Sequence, residues 1–120
     1  HVGGRDLVNF CSNDYLGLAT HPALVAAASQ AILQEGVGAG ASRLVSGGRS
    51  VHEQLETALA TWLQREQVLL FPSGFQANLA AVAALADRHS LVLADRLIHH
   101  SLLVGVQATG ARLQRFAHTT

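Results

Sequence analysis

Residues 69–78 read Leu-Leu-Phe-Pro-Ser-Gly-Phe-Gln-Ala-Asn, a short apolar run followed by a serine–glycine turn and the start of a helical segment. The apolar run predicts a buried strand, and Ser73 with Gln76 fits a Ser-x-x-Gln capping box at a helix N-terminus. The first N–H groups of a helix have no partner within it, so together with the helix dipole they can bind an anion. Gly74 carries no side chain where such an anion would bind. The stretch predicts either an ordinary capped helix or a phosphate site at the carboxyl end of a strand, where open α/β sheets bind ligands.

The segments around this turn alternate between strand and helix. The predicted strands cover residues 68–71, 91–94 and 111–117, and the predicted helices cover residues 75–88 and 99–108. Short apolar strands separated by helices are typical of a parallel sheet that is covered on both faces. The sequence therefore predicts an α/β fold with a parallel-type sheet and flanking helices. Because only residues 118–120 follow the last strand, we expect a truncated sheet.

The N-terminal half predicts a different organisation. Its predicted elements are a strand at 7–11, a helix at 22–35 capped by Thr20 or His21, a glycine-rich crossing at 36–40, and a helix at 50–64 with a Ser50–Glu53 capping box. We divide the chain into residues 1–65, with the N-terminal strand, the helices and the glycine-rich crossing, and residues 66–120. The second part would be the first β-α-β-α-β portion of a larger sheet.

Composition limits the possible functions. Of the 120 residues, 49% are hydrophobic and 13% are charged, against about 25% charged in ordinary soluble domains, which predicts a surface that other protein covers. The formal net charge is zero, so nothing indicates a nucleic acid or membrane partner. Cys11 is the only cysteine, which excludes an internal disulfide and favours a reducing cytoplasm. All eight basic residues of the Lys and Arg class are arginines, so this polypeptide alone has no lysine for a Schiff base or for a nucleotide-hydrolase phosphate loop.

Two further patterns have ordinary explanations. Residues 36–41 match a dinucleotide-binding fingerprint, but they follow a helix, whereas the fingerprint requires a preceding strand. A flexible crossing, or backbone packed against a ligand or a neighbouring subunit, is the favoured interpretation. His99 and His100 begin a helix, and adjacent histidines project in different directions, so no metal site is predicted. Taken alone, one of them would cap the helix and the other would face solvent.

The combined motifs resemble the α-oxoamine synthases, which depend on pyridoxal 5′-phosphate. The matching segments are Asn9–Leu18, Gly36–Arg43, Ser46-Gly47, His52 with Leu55-Glu56, Phe71–Asn78, Ala94–His99 and Arg115–His118. They occur in the family's order and cover nearly the whole chain. The resemblance implies part of the large domain of a fold type I pyridoxal phosphate-dependent transferase, with residues 66–120 in its cofactor-binding portion.

By that resemblance, four residues belong to the cofactor site. The backbone amides of Gly74 and Phe75, in the turn that begins with the cofactor-binding residue Ser73, would bind the cofactor phosphate. His99 would stack on the pyridine ring as the catalytic residue of this segment. His100 stands where the family commonly has a small residue. The glycine-rich segment and residues 13–15 would approach the active site across a homodimer interface.

The resemblance also implies substrates. The sequence of these motifs is most similar to that of members that join L-alanine to a pimeloyl thioester with loss of CO2 in the biotin pathway. The thioester would be carried by acyl carrier protein or CoA. Alternatives are another α-oxoamine synthase such as glycine C-acetyltransferase, or a non-catalytic module that binds a phosphorylated ligand or a subunit. In the family pattern, the cofactor-binding lysine, an aspartate for the pyridine nitrogen and a second histidine would follow residue 120. We therefore expect a fragment that is inactive alone.

Overall fold

The computed structural model describes residues 3–119, and within them the chain forms four helices and two strands. In chain order they are α1 (Pro22–Glu35), α2 (Ser50–Leu63), α3 (Gly74–Leu85), β1 (Leu91–Asp95), α4 (His100–Thr109) and β2 (Arg112–Phe116). The chain divides into two compact units, His1–Leu55 and Glu56–Thr120. The predicted division at residue 65 stays a prediction.

The predicted helix at 22–35 is confirmed as α1. Its N-cap is His21, whose Nδ1 accepts the backbone N–H of Ala23 at 3.3 Å. Pro22 follows in the first turn, where a missing N–H costs nothing. The helix ends at Gly36, whose φ of 80° is in the left-handed region that glycine adopts without strain.

The predicted cap of α2 is wrong by one residue. Ser50 is already helical, and its hydroxyl donates to Glu35 Oε1 at 2.5 Å. The reciprocal bond of a capping box comes instead from His52, whose Nδ1 accepts the backbone N–H of Arg49 at 3.2 Å. An imidazole nitrogen three residues along the helix thus replaces the expected glutamate oxygen.

The parallel sheet is confirmed. β1 and β2 pair in parallel from Leu91↔Arg112 to Asp95↔Phe116, with α4 as the crossover. The predicted strands at 7–11 and 68–71 are wrong, since neither range is assigned as strand in the described chain. A strand is defined by its ladder partner. In the second range the N–H of Leu70 donates instead to Glu56 Oε1 at 2.7 Å.

Helix α3 ends three residues earlier than predicted because a polar turn follows it. The carboxylate of Asp87 accepts the hydroxyl of Ser90 at 2.8 Å and the N–H of His89 at 2.9 Å. These two bonds hold the pKa of Asp87 below its ordinary value, with the Ser90 hydroxyl as the main cause. Strand β1 begins at the residue that follows this turn.

Helices α3 and α4 pack against each other at Gly105. A Cβ atom built on Gly105 would lie 2.9 Å from Cβ of Val82, closer than side-chain carbons normally approach. Neighbouring Val106 is 2% exposed and Ser101 is fully buried, so this contact lies in the best-packed region of the unit. The absence of a side chain at residue 105 therefore sets the distance between the two helices.

We expect Gly105→Ala to destabilise the chain by about 1–3 kcal/mol because the added methyl overpacks a contact that has no free space. Denaturant unfolding followed by circular dichroism measures the change. In the Val82→Gly background the same substitution should cost less, because the Cβ atom that lies 2.9 Å away has been removed. A gain in stability, as expected for Gly→Ala at an open helical position, would contradict the packing.

Large apolar side chains on the surface agree with the charge-poor composition. Phe10, Tyr15 and Leu44 are 92%, 86% and 95% exposed. Isolated apolar residues are common on protein surfaces, but this many large ones indicate faces made for contact with other protein. Among the described residues, no helix is both long and apolar enough to cross a membrane.

Candidate functional site

The turn at Ser73 leaves two backbone donors available. Ser73 is the N-cap of α3, its Oγ accepts the N–H of Gln76 at 3.3 Å, and its carbonyl accepts the N–H of Ala77 at 3.1 Å. The N–H groups of Gly74 and Phe75 have no protein acceptor within residues 3–119. Two donors without partners at the positive end of a helix form an arrangement that binds a phosphate.

The space in front of these donors is open. A Cβ atom at Gly74 would meet no atom within 4 Å, and all three residues of the turn are exposed. The hydroxyl of Ser73 uses a lone pair for the cap, so its proton stays available for a phosphate oxygen. The residues present therefore fit the phosphate of the predicted cofactor.

His99 is the N-cap of α4. Its Nδ1 accepts the backbone N–H of Ser101 at 3.2 Å and lies 2.6 Å from the Ser101 hydroxyl. The ring is exposed, as is that of His100 at the first helical position. The structure thus makes His99 the capping histidine of the pair, while its stacking on a cofactor stays a prediction.

A side-chain hydrogen bond joins the N-terminal halves of the two helices. Nδ2 of Asn78 in α3 donates to Oγ of Ser101 in α4 at 2.9 Å. The structure therefore brings His99 and the turn at Ser73 to the same end of one helix pair. The contacts Asn78–Ser101 and Val82–Gly105 advance in the same direction along both helices, so both positive dipole ends lie at this end of the pair.

The sequence patterns assigned no role to Asn78 or Ser101. Asn78 is the only polar residue of α3 after Gln76, in a run that is otherwise apolar. A lone amide on the packed face of a helix needs a partner, because a buried polar group without one is costly. That requirement, together with a serine two residues after a capping histidine, could have identified the pair.

A side-chain hydrogen bond joins the carboxyl ends of the two strands. Nδ1 of His118 lies 2.8 Å from Oδ2 of Asp95, and the other carboxylate oxygen accepts the N–H of Leu97 at 2.6 Å. Asp95 therefore contacts His118, the second residue after β2. The contact fixes the start of the loop that leads to His99.

The glycine-rich segment belongs to the other unit. The Arg49 guanidinium donates to the carbonyls of Gly38 and Ala39 at 3.1 and 3.4 Å, so it holds the loop between α1 and α2. The loop follows a helix, in agreement with the argument against a dinucleotide site. No group of three metal-binding side chains was found among the described residues.

Comparison with known proteins identifies the family. The family model described as aminotransferase class I and II matches residues 5–120. The chain belongs to the class I and II aminotransferase family. The predicted α/β fold is confirmed with it.

Curated relatives narrow the resemblance. The chain is 52% identical over 117 residues to the 8-amino-7-oxononanoate synthase of Alcanivorax borkumensis and 51% identical over 115 residues to that of Klebsiella pneumoniae. These alignments cover 98% and 96% of this chain and 30% of each relative. The chain thus spans about a third of the length of the curated relatives it matches. The predicted resemblance to this type of synthase is confirmed.

Solved structures agree. A crystal structure of 8-amino-7-oxononanoate synthase from Francisella tularensis superposes with a TM-score of 0.80 at 28% identity, covering 94% of this chain and 31% of that one. Serine palmitoyltransferase from Sphingomonas wittichii gives 0.84 at 31% identity, covering 88% and 27%. Another similar serine palmitoyltransferase, from S. paucimobilis, was solved with pyridoxal phosphate bound as a myriocin aldimine. The cofactor prediction is thereby confirmed at the level of the family.

Proposed function

We propose that this chain is the phosphate-binding part of a pyridoxal phosphate-dependent acyltransferase of the 8-amino-7-oxononanoate synthase type. The whole enzyme would condense L-alanine with a pimeloyl thioester of acyl carrier protein or CoA, release CO2 and supply biotin synthesis as a cytoplasmic homodimer. Sequence identity of about 50% to curated synthases supports this assignment.

The observation that carries the proposal is the pair of free N–H groups at Gly74 and Phe75, on the helix joined to the His99 cap. These donors, with the Ser73 hydroxyl, would bind the cofactor phosphate as a dianion. Backbone donors suit this task because they are fixed by the helix and lose no side-chain freedom on binding.

His99 would position the cofactor ring. Pyridoxal phosphate, when bound, supplies an electron sink that stabilises negative charge on the amino-acid carbon. A flat imidazole against one face of the ring limits its rotation and excludes water from that face. The cap holds the imidazole at the start of α4, so little reorganisation is needed when the ligand arrives.

Because the sequence has no lysine, we expect that these 120 residues alone do not catalyse the reaction. The chemistry requires an amine that bonds covalently to the cofactor and moves a proton, and no side chain of this sequence supplies one. Incubated with pyridoxal phosphate, L-alanine and pimeloyl-CoA, the 120-residue chain should form no product above the protein-free control. The full-length product of the native gene should form it, and turnover by the 120 residues alone would contradict the proposal.

The alternative function is that of a different α-oxoamine synthase, and the structural similarity to serine palmitoyltransferase favours it. The serine palmitoyltransferase from Sphingomonas wittichii superposes at least as well as the synthase from Francisella tularensis, although the curated identities favour the latter type. Activity assays with L-alanine, glycine and L-serine against pimeloyl, acetyl and palmitoyl thioesters separate the two functions. The pair of glycine and the acetyl thioester also tests for glycine C-acetyltransferase activity. Inactivity of the full-length product with the whole panel, together with retained phosphate binding, would instead support a binding module.

A further inference from the structure

The hydrogen bonds around His99 determine where its ring carries a proton. The backbone N–H of Ser101 points at Nδ1 from 3.2 Å. A backbone amide can only donate, so a proton on Nδ1 would face another proton across this contact. The neutral ring must therefore accept at Nδ1 and carry its proton on Nε2.

The hydroxyl of Ser101 strengthens this assignment. It is fully buried and lies 2.6 Å from the same Nδ1 atom. Its oxygen accepts a hydrogen bond from Nδ2 of Asn78 at 2.9 Å. Because the backbone N–H of Ser101 already requires Nδ1 to accept, the hydroxyl donates its proton to Nδ1 while its oxygen accepts from Asn78.

We propose that Asn78 and Ser101 are positioning residues, a donor relay that fixes His99 in the Nε2–H tautomer and in one ring orientation. The relay itself follows from the contacts of this chain, and its importance for pyridoxal phosphate rests on the proposed function. It fixes the plane of the imidazole, so that one face of the ring would contact a ligand bound at the turn of Ser73.

The chain contains its own reference histidine. His21 caps α1 through the same nitrogen, but the bond it accepts comes from the backbone N–H of Ala23 at 3.3 Å. Among the described contacts, no side-chain hydroxyl or side-chain amide bonds to the His21 ring. A perturbation of the relay should therefore change His99 and leave His21 unchanged.

The test is the ratio of the two neutral tautomers, read from ring ¹⁵N shifts in the cofactor-free, full-length product of the native gene at alkaline pH. Ser101→Ala removes the hydroxyl and keeps the backbone donor. Asn78→Asp replaces the donor with an acceptor of the same shape, so the hydroxyl proton turns away from Nδ1. We expect each variant to lower the Nε2–H to Nδ1–H ratio of His99 by roughly two- to tenfold, the equivalent of one hydrogen bond.

Three outcomes decide the matter. A change in the tautomer ratio of His99 alone in Ser101→Ala and Asn78→Asp, with a wild-type ratio in Ser101→Thr, which keeps the hydroxyl, supports the relay. An unchanged ratio in both Ser101→Ala and Asn78→Asp overturns it, as does a wild-type His99 that is protonated on Nδ1. Because this measurement needs no cofactor, failure of the proposed enzyme function would not affect it.

A second readout connects the relay to the ligand. With pyridoxamine 5′-phosphate bound, Ser101→Ala should change the circular dichroism of the pyridine band, because the imidazole against the ring is less well oriented. The affinity for the ligand should change less than threefold, since the phosphate donors are intact. Weakened binding with an unaltered band would assign Ser101 to packing of the site and contradict a positioning role.

Discussion

Gly74→Asp is expected to lower the affinity for pyridoxamine 5′-phosphate on the order of 100- to 1000-fold while the protein stays folded. A carboxylate at this position would occupy the space in front of the free N–H groups of Gly74 and Phe75 and repel the phosphate. Two unit charges about 4 Å apart at a partly solvated site interact by about 4 kcal/mol, and each 1.4 kcal/mol is tenfold in affinity. Pyridoxamine 5′-phosphate is the suitable probe because it cannot form a Schiff base with any lysine of the native product.

Gly74→Asp should raise the stability of the fold while it lowers the affinity for the phosphate. A Cβ atom at Gly74 has open space, and an acidic residue in the first turn of a helix is favoured by the dipole. Gly74→Ala is the matched control, since it adds the same Cβ without charge, and pyridoxamine without its phosphate is the matched ligand. Equal loss of affinity for both ligands would show that the turn is not the phosphate site, whereas loss of folding in Gly74→Asp would contradict the open space at this position.

Gly47→Ala is expected to unfold the segment between α1 and α2, at a cost on the order of 3 kcal/mol or more. A Cβ atom at this buried residue would lie 1.8 Å from the carbonyl oxygen of Ala41. No rotamer change relieves a collision between a Cβ and a backbone atom, so the loop must open. Hydrogen exchange of residues 36–49, followed by mass spectrometry, measures the opening directly.

The adjacent glycine is the control. A Cβ at Gly48 would lie 3.7 Å from the carbonyl oxygen of Arg43, an ordinary contact distance. Gly48→Ala should therefore exchange like the wild type, apart from the small effect of alanine on the unfolded chain. Similar exchange rates in the two variants would mean that the 41–47 contact does not close the loop.

The elements that sequence patterns predict well in this chain are those with local causes. Pro22 and the glycine at position 36 set the bounds of α1, and Ser73 with Gln76 sets the start of α3. Each depends on residues within one turn of the helix end, so the sequence contains the whole interaction.

The predictions that were wrong depended on distant partners. Residues 68–71 have the composition of a strand, but the described chain supplies no ladder for them, and Glu56 takes the N–H of Leu70. Composition reveals that a segment suits a sheet, whereas the identity of its neighbour is a long-range property. The Asn78–Ser101 bond also joins residues 23 apart, so the lone amide in α3 indicates that a partner is needed but does not by itself say which residue supplies it.

The histidine cap of α4 has a consequence for how position 99 can change in evolution. Serine, threonine, asparagine or aspartate would also cap the helix, but none of these side chains has an aromatic ring that could contact a ligand. Histidine alone combines a capping acceptor with a flat ring whose far nitrogen stays free. Alanine at this position would remove two contributions together, whereas asparagine would keep the cap and delete the ring. Selection for helix stability and selection for ligand contact therefore act on one codon, and a lineage that abandons the chemistry could drift to asparagine without losing the fold.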